Sequence, residues 1–190
     1  MQTQLFEGTT LTLTPVHPSK DAQVVSGWTY SLDIARRLGQ DPARPIGADR
    51  VKKWFESVED EVGKQNAFFF CIRLREQKLL VGLLRISRIS WSHGNAEIDL
   101  TIADPAKRKL HGPESLELAL RYAFQELNLF RLTAAIPSHD VDSITLFESA
   151  GFQHEVTCRQ AVFFGGRLWD EFMYGLLHSE WLSKMAEVAL

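Results

Sequence analysis

Two groups of residues have types and spacing that could do chemistry. Lys107-Arg108-Lys109-Leu110-His111-Gly112-Pro113 sets three cations and a histidine just ahead of a glycine and a proline. Proline suits a first helical turn, where its missing N–H would have had no partner, so a helix is predicted to open near Pro113. A basic run leading into a helix N-terminus is a cradle for phosphate. Free backbone N–H groups and the positive end of the macrodipole both meet the anion there. His111 could contact that phosphate, serve in proton transfer, or be a surface histidine with no role. The second group is Glu97 and Asp99, two residues apart in an extended stretch and therefore on one face of a strand. A carboxylate shifted upward by burial can accept a proton as a general base. The alternative is a lightly paired charged surface on an open antiparallel sheet.

The elements that must position these groups follow from periodicity. Leu5 to Pro15 alternates apolar and hydroxyl residues and reads as a half-buried strand. A helix is predicted from Ser19-Lys20-Asp21, with Val24, Val25 and Trp28 on its apolar face, then a short turn from Asp33 to Leu38 that ends at Gly39. Asp41 to Gly47 is a loop by its Pro and Gly content, and a third helix carries Val51, Trp54, Phe55 and Val58. Trp54 and Phe55 are expected in the core, and the Arg36-Arg37 pair on a solvated face, with contact to an acidic substrate as the alternative. Ala67 to Leu74, Leu79 to Ile89 and Ala96 to Ile102 form an antiparallel meander, with Gly82 marking a bulge or a close neighbour. Leu116, Ala119, Leu120, Ala123 and Leu127 recur at helical spacing, and a strand from Phe130 to Ile136 follows. Gln153 to Phe163 and Trp169 to Leu177 form a hairpin closed at Gly165-Gly166. His178 to Leu190 reads as a helical tail, with Trp181, Leu182, Met185 and Val188 apolar. It covers the sheet edge or contacts a second subunit.

With 190 residues, 45% of them hydrophobic, the chain is long enough for one full core, and residues 1–190 are read as one domain. A net charge of −3 argues against a dedicated nucleic-acid binder. Cys71 and Cys158 lie far apart in strand-like segments and read as inert thiols, not metal ligands. Met1-Gln2-Thr3-Gln4 lacks a signal-peptide pattern and no apolar run is long enough for a bilayer, so the expected protein is cytoplasmic with no membrane contact.

The segment from Leu116 through the Phe130–Ile136 strand to Asp140-Val141-Asp142-Ser143-Ile144-Thr145-Leu146-Phe147-Glu148-Ser149-Ala150-Gly151-Phe152 resembles the acetyl-CoA-binding half of the GNAT superfamily of N-acetyltransferases. The likeness is greatest to the group that acetylates the N-terminal amines of ribosomal proteins. It implies an α+β GNAT fold, a mixed and mostly antiparallel sheet with a crossover helix after the fourth strand. It implies transfer of an acetyl group from acetyl-CoA to a primary amine, on a small molecule or a protein N-terminus, with no metal. The alternative is a GNAT-shaped binding module that has lost catalysis and binds CoA weakly or not at all. Two departures keep that alternative open. Leu110 stands where the family's pyrophosphate loop has its first glycine, and Phe147 where many relatives carry a proton-donating Tyr.

The resemblance also distributes roles. Glu97 matches a Glu of the family and becomes the candidate proton acceptor, with Asp99 a substrate contact at a position where relatives often have Gly. Leu100, Thr101 and Ile102 would offer backbone groups to the thioester and the pantetheine arm, which would lie between splayed strands ending at Pro105 and Pro137. Lys107, Arg108, Lys109, Leu110, His111 and Gly112 would hold the phosphates, with Asp140 and Phe147 beside the CoA arm. Asp140 is also expected to cap the helix that follows it. Ser143, four residues before Phe147 and hence on the same helical face, is the candidate substitute acid for the leaving thiolate. Trp28 and Tyr30 either contact the acceptor or pack in the core.

Overall fold

The computed structural model describes residues 4–39 and 42–188, so Met1 to Thr3 and the Asp41 that opens the predicted loop lie outside the described residues. Seven strands form one sheet in the order β1-β2-β3-β4-β5-β7-β6. They are β1 (Leu11–Thr14), β2 (Phe68–Leu74), β3 (Leu80–Ser90), β4 (Asn95–Ile102), β5 (Arg131–Pro137), β6 (Gln153–Phe164) and β7 (Arg167–Leu177). The β4–β5 pair is parallel and every other neighbouring pair is antiparallel, which is the α+β arrangement expected. A parallel pair needs a crossover, and α4 (Arg108–Arg121) supplies it. The other helices are α1 (Pro18–Trp28), α2 (Leu32–Arg37), α3 (Ala48–Gly63), α5 (Val141–Ser149) and α6 (His178–Val188).

The period of two in β2 sorts the core into two layers. Phe69 and Cys71 meet α1 and α3 with Val25, Val51 and Phe55. Ile72 joins the opposite layer, where Leu84, Ile86 and Ile98 meet Leu116, Ala119 and Phe124 from the crossover side. Trp54 stacks on Phe55 and meets Phe69 edge-on, as its helical stripe predicts. The buried Asp21 of α1 accepts from Arg73 of β2 at 2.7 Å, and burial beside that carboxylate pushes the Cys71 thiol far up, so Cys71 is inert. Cys158 is half-buried in β6. A side chain on Gly82 would stand 2.5 Å from the Thr101 carbonyl oxygen, so the close-neighbour explanation applies, and the β2–β3 register also shifts beside it. In α6, Trp181 is buried against Phe124, while Leu182 and Met185 are exposed.

Two elements differ from expectation. The first strand keeps only Leu11–Thr14 of the predicted Leu5 to Pro15, with an isolated bridge from Glu7 to Thr12 ahead of it. The crossover helix opens at Arg108, not Pro113, after a 3₁₀ turn over Pro105–Lys107. The start signal is Asp104-Pro105: the Asp104 carboxylate accepts from Ala106 N at 3.0 Å, and Pro105 fills the first position. Pro113 is therefore inside the helix, where it leaves the Lys109 carbonyl without its usual donor.

Candidate active site

The site is built on the place where the sheet opens. The β4–β5 ladder consists of Asn95–Arg131, Ala96–Leu132 and Glu97–Thr133, and ends there. Ala103 N donates to Val81 O on the β3 side, at 2.9 Å. Counting back in twos, Thr101, Asp99 and Glu97 also turn their backbone groups to β3, while Ile102, Leu100 and Ile98 turn theirs towards β5. On β5, Arg131 N donates to Gly94 O at 3.0 Å, so the same count turns the Ala135 backbone towards β4. The edges of Leu100 and Ala135 thus face each other across a gap with no strand between them. Such a gap is a seat for an extended chain carrying amides, which is what the pantetheine arm of acetyl-CoA is.

Two adjoining cavities of about 380 and 440 Å³ flank this gap and share Arg37, Leu100 and Ser143. The first is lined by Leu100, Ile102, Arg108, Lys109, Pro113 and α5 residues that include Val141. Its basic end is the start of α4, so the basic run does sit at a helix N-terminus, as its own first turn rather than as a loop before one. Each cation there has an acidic neighbour: Lys107 Nζ lies 4.0 Å from Asp104, Lys109 Nζ 3.5 Å from Asp142, and Arg108 Nη2 2.6 Å from Asp33. Lys107 and Lys109 are exposed, so their pairs are weak and leave the ammonium groups available to an anion.

Other members of the run behave differently. Leu110 is 71% exposed on the helix and takes an ordinary negative φ, so its side chain faces solvent and strains nothing. Gly112 serves helix packing, since a Cβ there would meet Leu146 of α5 at 2.9 Å. His111 is buried, not at the surface, and lines neither cavity. Its backbone oxygen accepts from Ser115, its Nδ1 has no partner, and burial with Lys107 nearby holds its pKa below the ordinary imidazole value. The interior of α4 claims this side chain because the helix starts early, which turns position 111 inward.

The second cavity receives Glu97, Asp99 and Thr101 from β4, and Ser143 and Phe147 from α5. Both carboxylates meet arginines of β3. Arg88 Nη1 donates to Glu97 at 2.6 Å, and Arg85 donates to Asp99 through Nε at 3.0 Å and Nη2 at 2.8 Å. Phe147 is buried edge-to-face on Phe152, with ring centroids 4.9 Å apart. Asp140 caps α5 as expected, accepting from Ser143 N at 3.3 Å. Trp28 and Tyr30 reach neither cavity: Trp28 packs with the α1–α3 core layer, and Tyr30 is 76% exposed beyond the end of α1.

Sequence reasoning missed the arginines. Arg37 is not on a solvated face. It donates to Asp33 at 3.2 Å and to Ser143 Oγ at 3.2 Å, and its Nη2 stands 2.5 Å from Asp140. Asp33 is its i,i+4 neighbour, but Asp140 and Ser143 come from a distant segment, and no local spacing announced those two. Arg85 and Arg88 were readable only through the register that sets them opposite Asp99 and near Glu97.

The sequence matches the family described as "Acetyltransferase (GNAT) domain" over residues 10–153. It is 27% identical to the uncharacterized N-acetyltransferase YnaD of Bacillus subtilis over 162 residues, covering 85% of this chain and 91% of that protein. It is 29% identical to a spermidine N(1)-acetyltransferase of Vibrio cholerae over 108 residues, 57% of this chain and 62% of that one. The fold is similar to the crystal structure of spermidine N-acetyltransferase from Vibrio cholerae in complex with CoA and spermine, with a TM-score of 0.79 and 23% identity across 92% of this chain and 99% of that one. A match over most of the length, on a sheet that opens where an acyl donor must enter, means that the chain belongs to the GNAT family of acetyltransferases, for which acetyl-CoA is the acetyl donor.

Proposed function

We propose that this chain, acting as one domain over residues 1–190, N-acetylates a small primary amine. The observation that carries the reading is the continuous cleft. It runs from the basic start of α4, past the open backbone edges of Leu100 and Ala135, to the carboxylates Glu97 and Asp99. Acetyl-CoA supplies the acetyl group and the thiol that leaves when the amide C–N bond forms and the C–S bond breaks. Lys107, Lys109 and the α4 N-terminus hold phosphate. The Leu100 N–H points into the gap where a carbonyl oxygen accumulates negative charge. Glu97 takes the ammonium proton, and Ser143, fixed by Arg37, returns a proton to the thiolate side. Phe147 cannot donate, but a thiol with an ordinary pKa of about 8.5 leaves without strong acid assistance.

The relatives' names favour a small amine over a protein N-terminus. The Vibrio cholerae proteins are described with spermidine or spermine, and none of those named above is described with ribosomal proteins. The test is melting with and without acetyl-CoA, followed by release of CoA thiol over a panel of primary amines. Ligand at a hundredfold excess over Kd stabilises by about 2.7 kcal/mol. A melting shift with thiol release supports the reading. A shift with no release on any amine makes the chain a binding module, and no shift at millimolar acetyl-CoA removes the donor site.

A further inference from the structure

The acceptor end of the cleft carries arginines as well as carboxylates. Among the described residues four arginines and five carboxylates line it, and Glu97 and Asp99 are each held by an arginine. One of those arginines is placed by a distortion of the sheet. Ser87 lies directly across from Glu97, and by alternation the next residue would turn to the opposite face, with the buried Ile86. Instead the β3–β4 register slips, and Ser90 next meets Asn95, with one extra residue in β3. Arg88 sits in that bulge at φ +50°, a left-handed conformation that a side chain adopts at a cost. The bulge brings its guanidinium onto the cleft face, where one N–H reaches Glu97 at 2.6 Å while 75% of the side chain remains exposed.

We propose that Arg88, with Arg85 beside it, receives a carboxylate carried by the acceptor, so that the amine acetylated is that of an amino acid rather than a polyamine. This rests on the amine-acetylation reading and narrows it. An acid and an arginine in contact are complementary to an ammonium and a carboxylate a few bonds apart: the ammonium meets Glu97, and the carboxylate meets the spare N–H groups of Arg88. Among the described residues Arg88 donates to Glu97 through Nη1 alone, and Arg85 leaves its Nη1 uncommitted. A spermidine chain would instead carry its further cations past Arg36, Arg37, Arg85 and Arg88.

The experiment compares kcat/KM for amines that differ only in the carboxylate, phenylalanine with 2-phenylethylamine and methionine with 3-(methylthio)propylamine, alongside spermidine. The wild type should prefer each carboxylated member by about 10- to 100-fold, the reach of a charged hydrogen bond. Arg88→Gly should collapse that ratio towards one while raising the melting temperature, because glycine accepts the left-handed backbone. Arg85→Gln should lower the ratio in part. A wild type that prefers spermidine or the bare amines overturns the proposal, as does an unchanged ratio in Arg88→Gly. Acetyl-CoA binding with no transfer to any amine overturns the underlying amine reading instead, and is recognised by the intact melting shift.

Discussion

Arg108 of α4 and Arg37 of α2 converge on one oxygen, Asp33 Oδ2, at 2.6 and 3.2 Å. Arg37 continues to Asp140 and Ser143, so α2 is tied to α4 through Asp33 and to the start of α5 through Arg37. Burial alone would raise the Asp33 pKa, but the Arg108 hydrogen bond and the charge of Arg37 outweigh it and hold the carboxyl below its ordinary value. A lowered folded pKa contributes stability that is present above the unfolded value and lost as pH falls through the folded one. Asp33→Asn should therefore cost about 1–2 kcal/mol at pH 7, discounted for partial exposure. The melting temperatures of variant and wild type should converge as pH falls below the ordinary carboxylate range. A gap that persists into strong acid would show that the contacts act without charge.

Glu97→Gln should lower turnover at neutral pH by roughly 10²–10⁴-fold, the range of general-base catalysis, with part of the loss restored at high pH where the amine is already free. Asp99→Asn should have the smaller effect, since Arg85 occupies Asp99 through two N–H groups. Wild-type turnover for Glu97→Gln at pH 7 removes Glu97 from the mechanism.

Leu110→Gly restores the residue type usual in the family, yet it should not tighten acetyl-CoA binding. The Leu110 side chain already points to solvent from a helical turn. Glycine there should destabilise the fold by about 0.5–1 kcal/mol through helix propensity, with the dissociation constant unchanged. Titration calorimetry reads the affinity and denaturant melting reads the stability.

Ser143→Ala should reduce thiol release, and it frees an Arg37 donor. Phe147→Tyr should leave turnover unchanged or raise it, because that ring lines the cleft while its far side rests on Phe152. Equal rates for Ser143→Ala and wild type eliminate the hydroxyl as the proton source.

What periodicity encodes was legible. The meander, the crossover helix, the closing hairpin and the Asp140 cap all follow from local pattern, and so does the shared face of Glu97 and Asp99. The early start of α4 was also written locally, in Asp104-Pro105, but Pro113 carried the more conspicuous signal. Arg37, Arg85 and Arg88 were illegible for a different reason. Arg37 depends on the packing of α2 against the start of α5, Arg85 on a strand partner, and Arg88 on a slip in register that no alternation rule foretells.

The early end of the β4–β5 ladder has a mechanical consequence. The sheet is two blades, β1 to β4 and β5 to β7, fastened at one end by three residue pairs and bridged by the crossover helix. An amide-bearing arm laid into the gap becomes a rivet at the loose end, so donor occupancy should stiffen the blades against each other. The amides of Leu100, Ile102 and Ala135 should then exchange with solvent deuterium quickly in the empty protein and slowly in the occupied one. The lining of the second cavity comes from both blades, Glu97 and Arg88 from one and Glu171 of β7 from the other. A blade pair that sets only when the donor is seated would assemble the amine pocket last, which imposes an order on the two substrates.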